Sequence, residues 1–178
     1  MQGDIIPDFN EHGVLPEGIY NCTINDLFTR FVIDITPSNT REPIFLNYTR
    51  FNKEKLNYNL KGYYWLDGSF VTNKLDPHDI DVVMIIESSD ENPIENQNKQ
   101  MILELNSQHD YIKNKYSTDF RAIIIKPKEH PDYLFYKKHF DKWKNFWSKH
   151  TVGQDPNRTI IGKKGFLSVS HNAKDRNE

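Results

Sequence analysis

Apolar and polar positions alternate between two periods along the chain. Val82-Val-Met-Ile-Ile86 is an unbroken apolar run, entered through Asp76-Pro-His-Asp-Ile-Asp81 and left through Glu87-Ser-Ser-Asp-Glu-Asn-Pro93. A run of that length between turn formers predicts a buried strand over 80–86. Tyr63-Tyr-Trp-Leu66 predicts a strand before it, and Asp119-Phe-Arg-Ala-Ile-Ile-Ile125, within 118–126 and stopped by Pro127, a strand after it. Gly165-Phe-Leu-Ser-Val-Ser170 predicts a short final strand. The loop from Gly68 to His78 is too short for a helical crossover, so the first two strands are expected to run antiparallel or to splay around it.

The remaining apolar positions fall at helical spacing. Thr23-Ile-Asn-Asp26 predicts a helix start with a capping box in which Asp replaces the usual Glu; Leu27, Phe28 and Phe31 form its stripe, which ends near Thr36-Pro37. Ser38 or Thr40 would cap a second helix, with Pro43 in its first turn and Ile44, Phe45, Tyr48, Phe51, Leu56 and Leu60 inside, closed by Gly62. A third helix is expected from about Ile94 to Tyr116, with Met101, Ile102, Leu105, His109 and Ile112 on one face. A fourth would start at Pro131 or Asp132 and carry Leu134, Phe135, Phe140, Trp143, Phe146 and Trp147, with Trp143, Phe146 and Trp147 in the core. Residues 1–22, with a turn at Leu15-Pro-Glu-Gly-Ile19, read as an extended arm, 151–164 as a polar, basic loop, and 171–178 as a frayed tail. The predicted fold is one α/β (α+β) domain over 1–178: a small mixed sheet flanked by helices, its core at 63–126, with an N-terminal helical addition at 23–60 and a C-terminal helix and short strand at 131–170.

Composition narrows the class. At 178 residues the chain is long enough for a sizeable core, and 27% charged residues make it polar and globular. A formal net charge of −2 argues against a general nucleic-acid coat, though not against a local basic patch. One cysteine, Cys22, excludes an intrachain disulfide and a multi-cysteine zinc site, and points to a reducing cytoplasm. Neither a signal peptide nor a membrane span is legible, so no membrane partner is expected.

The chemistry concentrates at 66–81. Asp79 and Asp81 lie two apart at a strand entry, so both project to one side and present hard oxygen ligands to a divalent cation. Asp119 opens the next strand in the same way and is the candidate third carboxylate; Asp110, Asp67 and Asp76 fit less well, the last two suiting turn chemistry better. Gly68 and Ser69 can turn backbone N–H groups toward a phosphate, and Lys74 in the same loop can meet a triphosphate. Three acids beside such a turn suit phosphoryl transfer, in which charge on both sides of the reacting phosphorus must be neutralised.

These residues resemble the nucleotidyltransferase superfamily of the DNA polymerase β type. The resemblance lies in Leu66-Asp67-Gly68-Ser69, nine intervening residues, Asp79-Ile80-Asp81-Val82 and a later acid, Asp119-Phe120. Asp67-Gly-Ser-Phe-Val-Thr72 before Pro77-His-Asp-Ile-Asp81, together with Leu15-Pro-Glu-Gly-Ile19 and Arg30-Phe31-Val32, is more closely similar to a bacterial family of uncharacterised nucleotidyltransferase-like proteins. The resemblance covers about residues 14–126 and is weaker at Asp119. It implies a cytoplasmic enzyme that moves a nucleoside monophosphate from a nucleoside triphosphate to an acceptor, with Mg²⁺ or Mn²⁺ on Asp79, Asp81 and Asp119, the last also as base. It leaves open whether the acceptor is protein, RNA or a small molecule, and suggests a toxin–antitoxin or phage-defence component. The alternative is a catalytically silent module of the same fold that acts through protein contacts.

Plainer readings stand beside each residue. Asp79 and Asp81 also suit a solvated turn, and Gly68 alone is more often a bend than a phosphate cradle. His78 reads as an exposed turn residue, and His109, His130, His139, His150 and His171 are too scattered for a metal cluster. Arg158, Lys163 and Lys164 read first as a solvated loop and second as a nucleic-acid contact. A glycosidase pair would need carboxylates facing each other across a substrate, not two apart on one strand.

Overall fold

A computed structural model describes residues 5–55, 62–89, 94, 96–152 and 159–170. Leu56, Leu60 and Arg158, assigned above to a helix interior and a basic loop, lie outside them.

The chain forms a mixed α/β fold. Its five-stranded sheet has the order β1 (Ile19–Cys22), β7 (Phe166–Ser170), β2 (Gly62–Asp67), β3 (Ile80–Glu87), β4 (Thr118–Ile125). β2 is antiparallel to β3 and to β7, whereas β3–β4 and β1–β7 are parallel pairs. A parallel pair needs a crossover, and β3 reaches β4 through two helices, α3 (Asn96–Ser107) and α4 (His109–Tyr116). The single helix expected over 94–116 is therefore two, broken at Gln108, whose φ of −90° and ψ of 19° leave the helical region.

Alternation along the strands divides the core in two. Tyr64, Leu66, Val82, Met84, Phe120, Leu167 and Val169 face a helical layer. That layer comprises α1 (Ile24–Phe28), the π-turn that continues it (Thr29–Ile33), α2 (Arg41–Lys55), α3 and α4, and contributes Leu27, Phe31, Tyr48, Phe51, Ile102 and Ile112. The opposite face carries Trp65, Val83, Ile85 and Phe166, covered by Trp147, Phe140 and Trp143 of α5 (Tyr133–Trp147). Only part of this second face is covered by α5, and the part left over holds the acids described below.

Local chemistry sets several boundaries. Thr23 accepts from the Asp26 N–H at 3.1 Å while Asp26 accepts from the Thr23 N–H at 2.8 Å, the expected capping box. Ser38 Oγ accepts from the Arg41 N–H at 3.2 Å at the start of α2. Asn106 pairs both of its amide ends with the N–H and carbonyl of Ala122, which covers the outer edge of β4 with a side chain instead of another strand.

Four further expectations change. The supposed N-terminal arm contributes an edge strand, β1, and Val14 bridges to Thr72. Gly62 is not a helix cap: it opens β2 against Ile85, where a Cβ would overlap the Ile85 carbonyl. Most of the residues expected as a basic loop over 151–164 that are described belong to strands: Lys149–Val152 and Thr159–Lys163 form a two-stranded antiparallel sheet, β5 and β6. On α5 only Trp147 is buried, whereas Leu134, Phe135 and Phe146 are 76%, 63% and 54% exposed. One helix face suffices to cover the sheet, so those three lie off it, with Phe135 and Phe146 meeting rings of their own helix.

Candidate active site

Strand register assembles the acids. Asp67 pairs across β2–β3 with Asp81, and Asp81 across β3–β4 with Asp119. Cross-strand partners project to the same face, so these three carboxylates form a row across one end of the sheet. Asp79, two residues before Asp81, joins them, and the charges of Asp67, Asp79 and Asp119 all act on Asp81. From sequence Asp67 suits turn chemistry; it is instead a buried member of the row.

Two cations answer this charge. Lys113 Nζ lies 2.7 Å from Asp79 Oδ2 and 2.8 Å from Asp119 Oδ2, so those two oxygens are at most 5.5 Å apart, the sum of the contacts. Lys164 pairs with Asp67, and both side chains are largely buried. His109 Nε2 is 2.6 Å from Asp119 Oδ1, and its Nδ1 is 2.9 Å from Asp110 Oδ1. His109 and Lys113 stand one turn apart on α4, which is why one helix face reaches both oxygens of Asp119. Neither was assigned a role from sequence; an i, i+4 His/Lys pair ending six residues before an acidic strand start is the signal that would have found them.

Asp81 differs from its neighbours. It faces three carboxylates, and no hydrogen-bond donor among the described residues meets it. Burial first, then the charges of Asp67, Asp79 and Asp119, push its carboxyl up to about 7 against the opposing pull of Lys113. Burial likewise raises Asp67 to about 6, although the Lys164 charge and hydrogen bond and the Gly68 N–H oppose it. Burial works against the Lys113 ammonium too, but its bonds to Asp119 and Asp79 outweigh that and hold it above the ordinary lysine range.

The Gly-Ser turn sits against the row. Gly68 has φ +80° and ψ −163°, a conformation that favours glycine, and a Cβ there would overlap Asp81 Oδ2. Ser69 opens a 3₁₀ turn through Val71, which buries Phe70 and Val71. Lys74 is exposed, and the fold uses its carbonyl rather than its ammonium: Arg41 Nε donates to it at 3.2 Å. The structure thus brings together Gly68, Ser69, Asp79, Asp81 and Asp119, but gives Lys74 no contact with the acids.

Arg41 fixes this loop, and sequence reasoning missed it. Fully buried, it donates from Nη1 to the carbonyls of Phe31 and Phe70, both at 2.8 Å, and from Nη2 to Thr72 at 2.7 Å. Burial lowers its pKa to about 10, with the charge of Asp76 opposing. Asp76 accepts from the Asn39 N–H at 2.8 Å and from Ser38 Oγ at 3.1 Å, so the other end of the loop is tied to the start of α2. A guanidinium presents five donors in a rigid fork, and here they satisfy carbonyls of the π-turn and of the 68–78 loop together.

Among the described residues, no three His, Cys, Asp or Glu side chains form a ready-made metal cage. The donor set nevertheless fits a divalent cation: an ammonium already sits between Asp79 and Asp119, and among the described residues no donor meets Asp81 beside it. Among the described residues, no helix is long and apolar enough to cross a membrane.

A family model described as "Family of unknown function (DUF6932)" matches residues 7–170, and the chain belongs to that family. No curated protein and no solved structure matches it. The match runs from before β1 through β7, so the strands outside the acidic core belong to the family unit.

Proposed function

We propose that this member of DUF6932 is a nucleotidyltransferase, moving a nucleoside monophosphate from a nucleoside triphosphate to a hydroxyl acceptor. The observation that carries the reading is the row Asp67–Asp81–Asp119, with Asp79 beside it, against a glycine turn too tight for any side chain. Asp79, Asp81 and Asp119 are the residues to hold Mg²⁺ or Mn²⁺. That cation would supply charge neutralisation on the triphosphate and a more acidic acceptor hydroxyl.

The chain's own groups have separate tasks. Backbone N–H groups at Gly68 and Ser69 are the donors for phosphate oxygens. The acceptor oxygen forms a bond to the α-phosphorus, the bond to the bridging oxygen breaks, and pyrophosphate leaves. Both oxygens of Asp119 are engaged, by His109 and Lys113, so Asp119 is a poor proton acceptor. Asp81, which no donor meets among the described residues, is the carboxylate most open to the cation, and the acceptor hydroxyl gives its proton to water. His109 holds Asp119 in orientation, and Lys113 neutralises Asp79 and Asp119 until the cation takes its place.

The test is transfer of α-labelled nucleoside monophosphate from each triphosphate, with Mg²⁺ or Mn²⁺, onto protein, RNA and small hydroxyl acceptors. Label should appear on one acceptor class and vanish in Asp79→Ala/Asp81→Ala. Transfer surviving that double substitution would sink the site.

A further inference from the structure

We infer that the exposed face of α5 binds single-stranded nucleic acid, the acceptor class for the adjacent acidic site. Between residues 126 and 164 the sequence has ten Lys and Arg against four Asp and Glu, in a chain whose formal net charge is −2. The acidic excess therefore lies elsewhere, and the C-terminal region is a local polyanion-binding composition on an otherwise acidic protein.

Structure gives that composition a face. Tyr136, Phe140, Trp143 and Trp147 recur at helical spacing and turn α5 toward the sheet: Phe140 packs 4.8 Å from Trp65, and Trp147 5.8 Å from Phe166, centroid to centroid. Phe135, Lys138, Lys142 and Phe146 follow helical spacing along an outer flank of α5, and all are exposed. Two aromatics about 16 Å apart along the axis thus bracket two lysines. His139, also exposed, meets Phe135 edge-on with ring centroids 5.0 Å apart.

Aromatic rings interleaved with cations match what a single strand offers, unstacked bases and a phosphate backbone. A membrane-surface helix needs a continuous apolar face, and α5 has already placed its own on the sheet. A duplex offers phosphates but no free base for Phe135 or Phe146.

The stripe leads to the acids. Ser148, which follows α5, accepts from the Lys164 N–H at 3.0 Å, and the Lys164 ammonium pairs with Asp67. A strand lying along α5 toward its C-terminus is thereby directed to the row Asp67–Asp81–Asp119. The word acceptor rests on the nucleotidyl-transfer reading; the binding itself does not.

The experiment is fluorescence anisotropy with the full chain and a labelled, mixed-sequence single-stranded RNA of about 20 nucleotides at two salt concentrations, about 50 and 200 mM. Binding should weaken with salt. Lys138→Glu/Lys142→Glu should lower affinity at least tenfold at low salt and reduce the salt slope by about 1.4, the share of two phosphates on a single strand. Phe135→Ala/Phe146→Ala should also weaken binding by tenfold or more, but leave the slope unchanged. All four positions are exposed, and unchanged circular dichroism will verify the folds. Asp79→Ala/Asp81→Ala should still bind. If it binds while the wild-type chain transfers nothing, the active-site reading fails and the surface stands. No RNA binding at low salt, charge-reversed protein that binds normally, equal affinity for duplex, or capture of anionic vesicles in place of RNA would overturn the inference.

Discussion

Replacing Asp81 with asparagine should stabilise the metal-free protein at alkaline pH, although it alters a central site residue. Asp81 is raised from the usual 3.8 to about 7 by burial and by three neighbouring carboxylates. Below pH 4 the side chain is protonated in both folded and unfolded chains and contributes no difference. As pH rises from about 4 to 7, the unfolded chain loses its proton while the folded one keeps it, so stability falls; above 7 the penalty is constant. Three pH units at about 1.4 kcal/mol each set an upper bound of about 4 kcal/mol, and relaxation of the site places the expected gain at about 2–4 kcal/mol at pH 8. For a chain of this length that corresponds to roughly 5–15 °C in Tm. At pH 4.5 the gain should shrink to about 1 kcal/mol. The assay is thermal unfolding of wild type and Asp81→Asn in chelator at both pH values. Equal Tm values at pH 8, or a variant less stable there than at pH 4.5 relative to wild type, would refute the electrostatic account of the row.

Gly68→Ala should destabilise by at least about 1–3 kcal/mol, because the backbone has φ +80° and the new methyl would displace Asp81 Oδ2; urea unfolding measures the first effect and loss of the raised Asp81 titration by NMR the second. Arg41→Met should cost about 3–5 kcal/mol, because two buried and two part-buried carbonyls lose their donor, and Arg41→Lys should rescue little, since one ammonium cannot span the fork; equal stability of wild type and either variant in urea would contradict this. Lys113→Met should raise Mn²⁺ affinity about tenfold, read by the paramagnetic resonance of free Mn²⁺. An unchanged affinity would mean that the ammonium and the metal do not compete for Asp79 and Asp119.

The parts of this fold that sequence made legible are those with dense local signals. Thr23 and Asp26 sit three residues apart and cap each other, and Val82–Ile86 can only be a buried segment. The acid positions followed from strand alternation at Asp79 and Asp81 and from the matching start of β4 at Asp119. What escaped depends on distant partners. β1 has four residues and becomes a strand only because β7, far along the chain, lies beside it. Arg41 reads as an ordinary helix-start cation until the carbonyls of Phe31, Phe70, Thr72 and Lys74 surround it. Asp67 looked like a turn residue because its partner, Lys164, is nearly a hundred positions away. On α5 the aromatic content suggested burial, but periodicity cannot tell how much of a helix the sheet has room to cover.

The central claim is that these four acids and the Gly68–Ser69 turn hold a metal–triphosphate. The most direct measurement is a crystal structure with Mn²⁺ and a non-hydrolysable nucleoside triphosphate, located by manganese anomalous scattering. The expected result is a manganese peak against at least two of Asp79, Asp81 and Asp119, Lys113 displaced from between Asp79 and Asp119, and phosphate oxygens at the N–H groups of Gly68 and Ser69. A triphosphate bound elsewhere, or Lys113 still bridging Asp79 and Asp119 with no manganese at the row under saturating conditions, would contradict it.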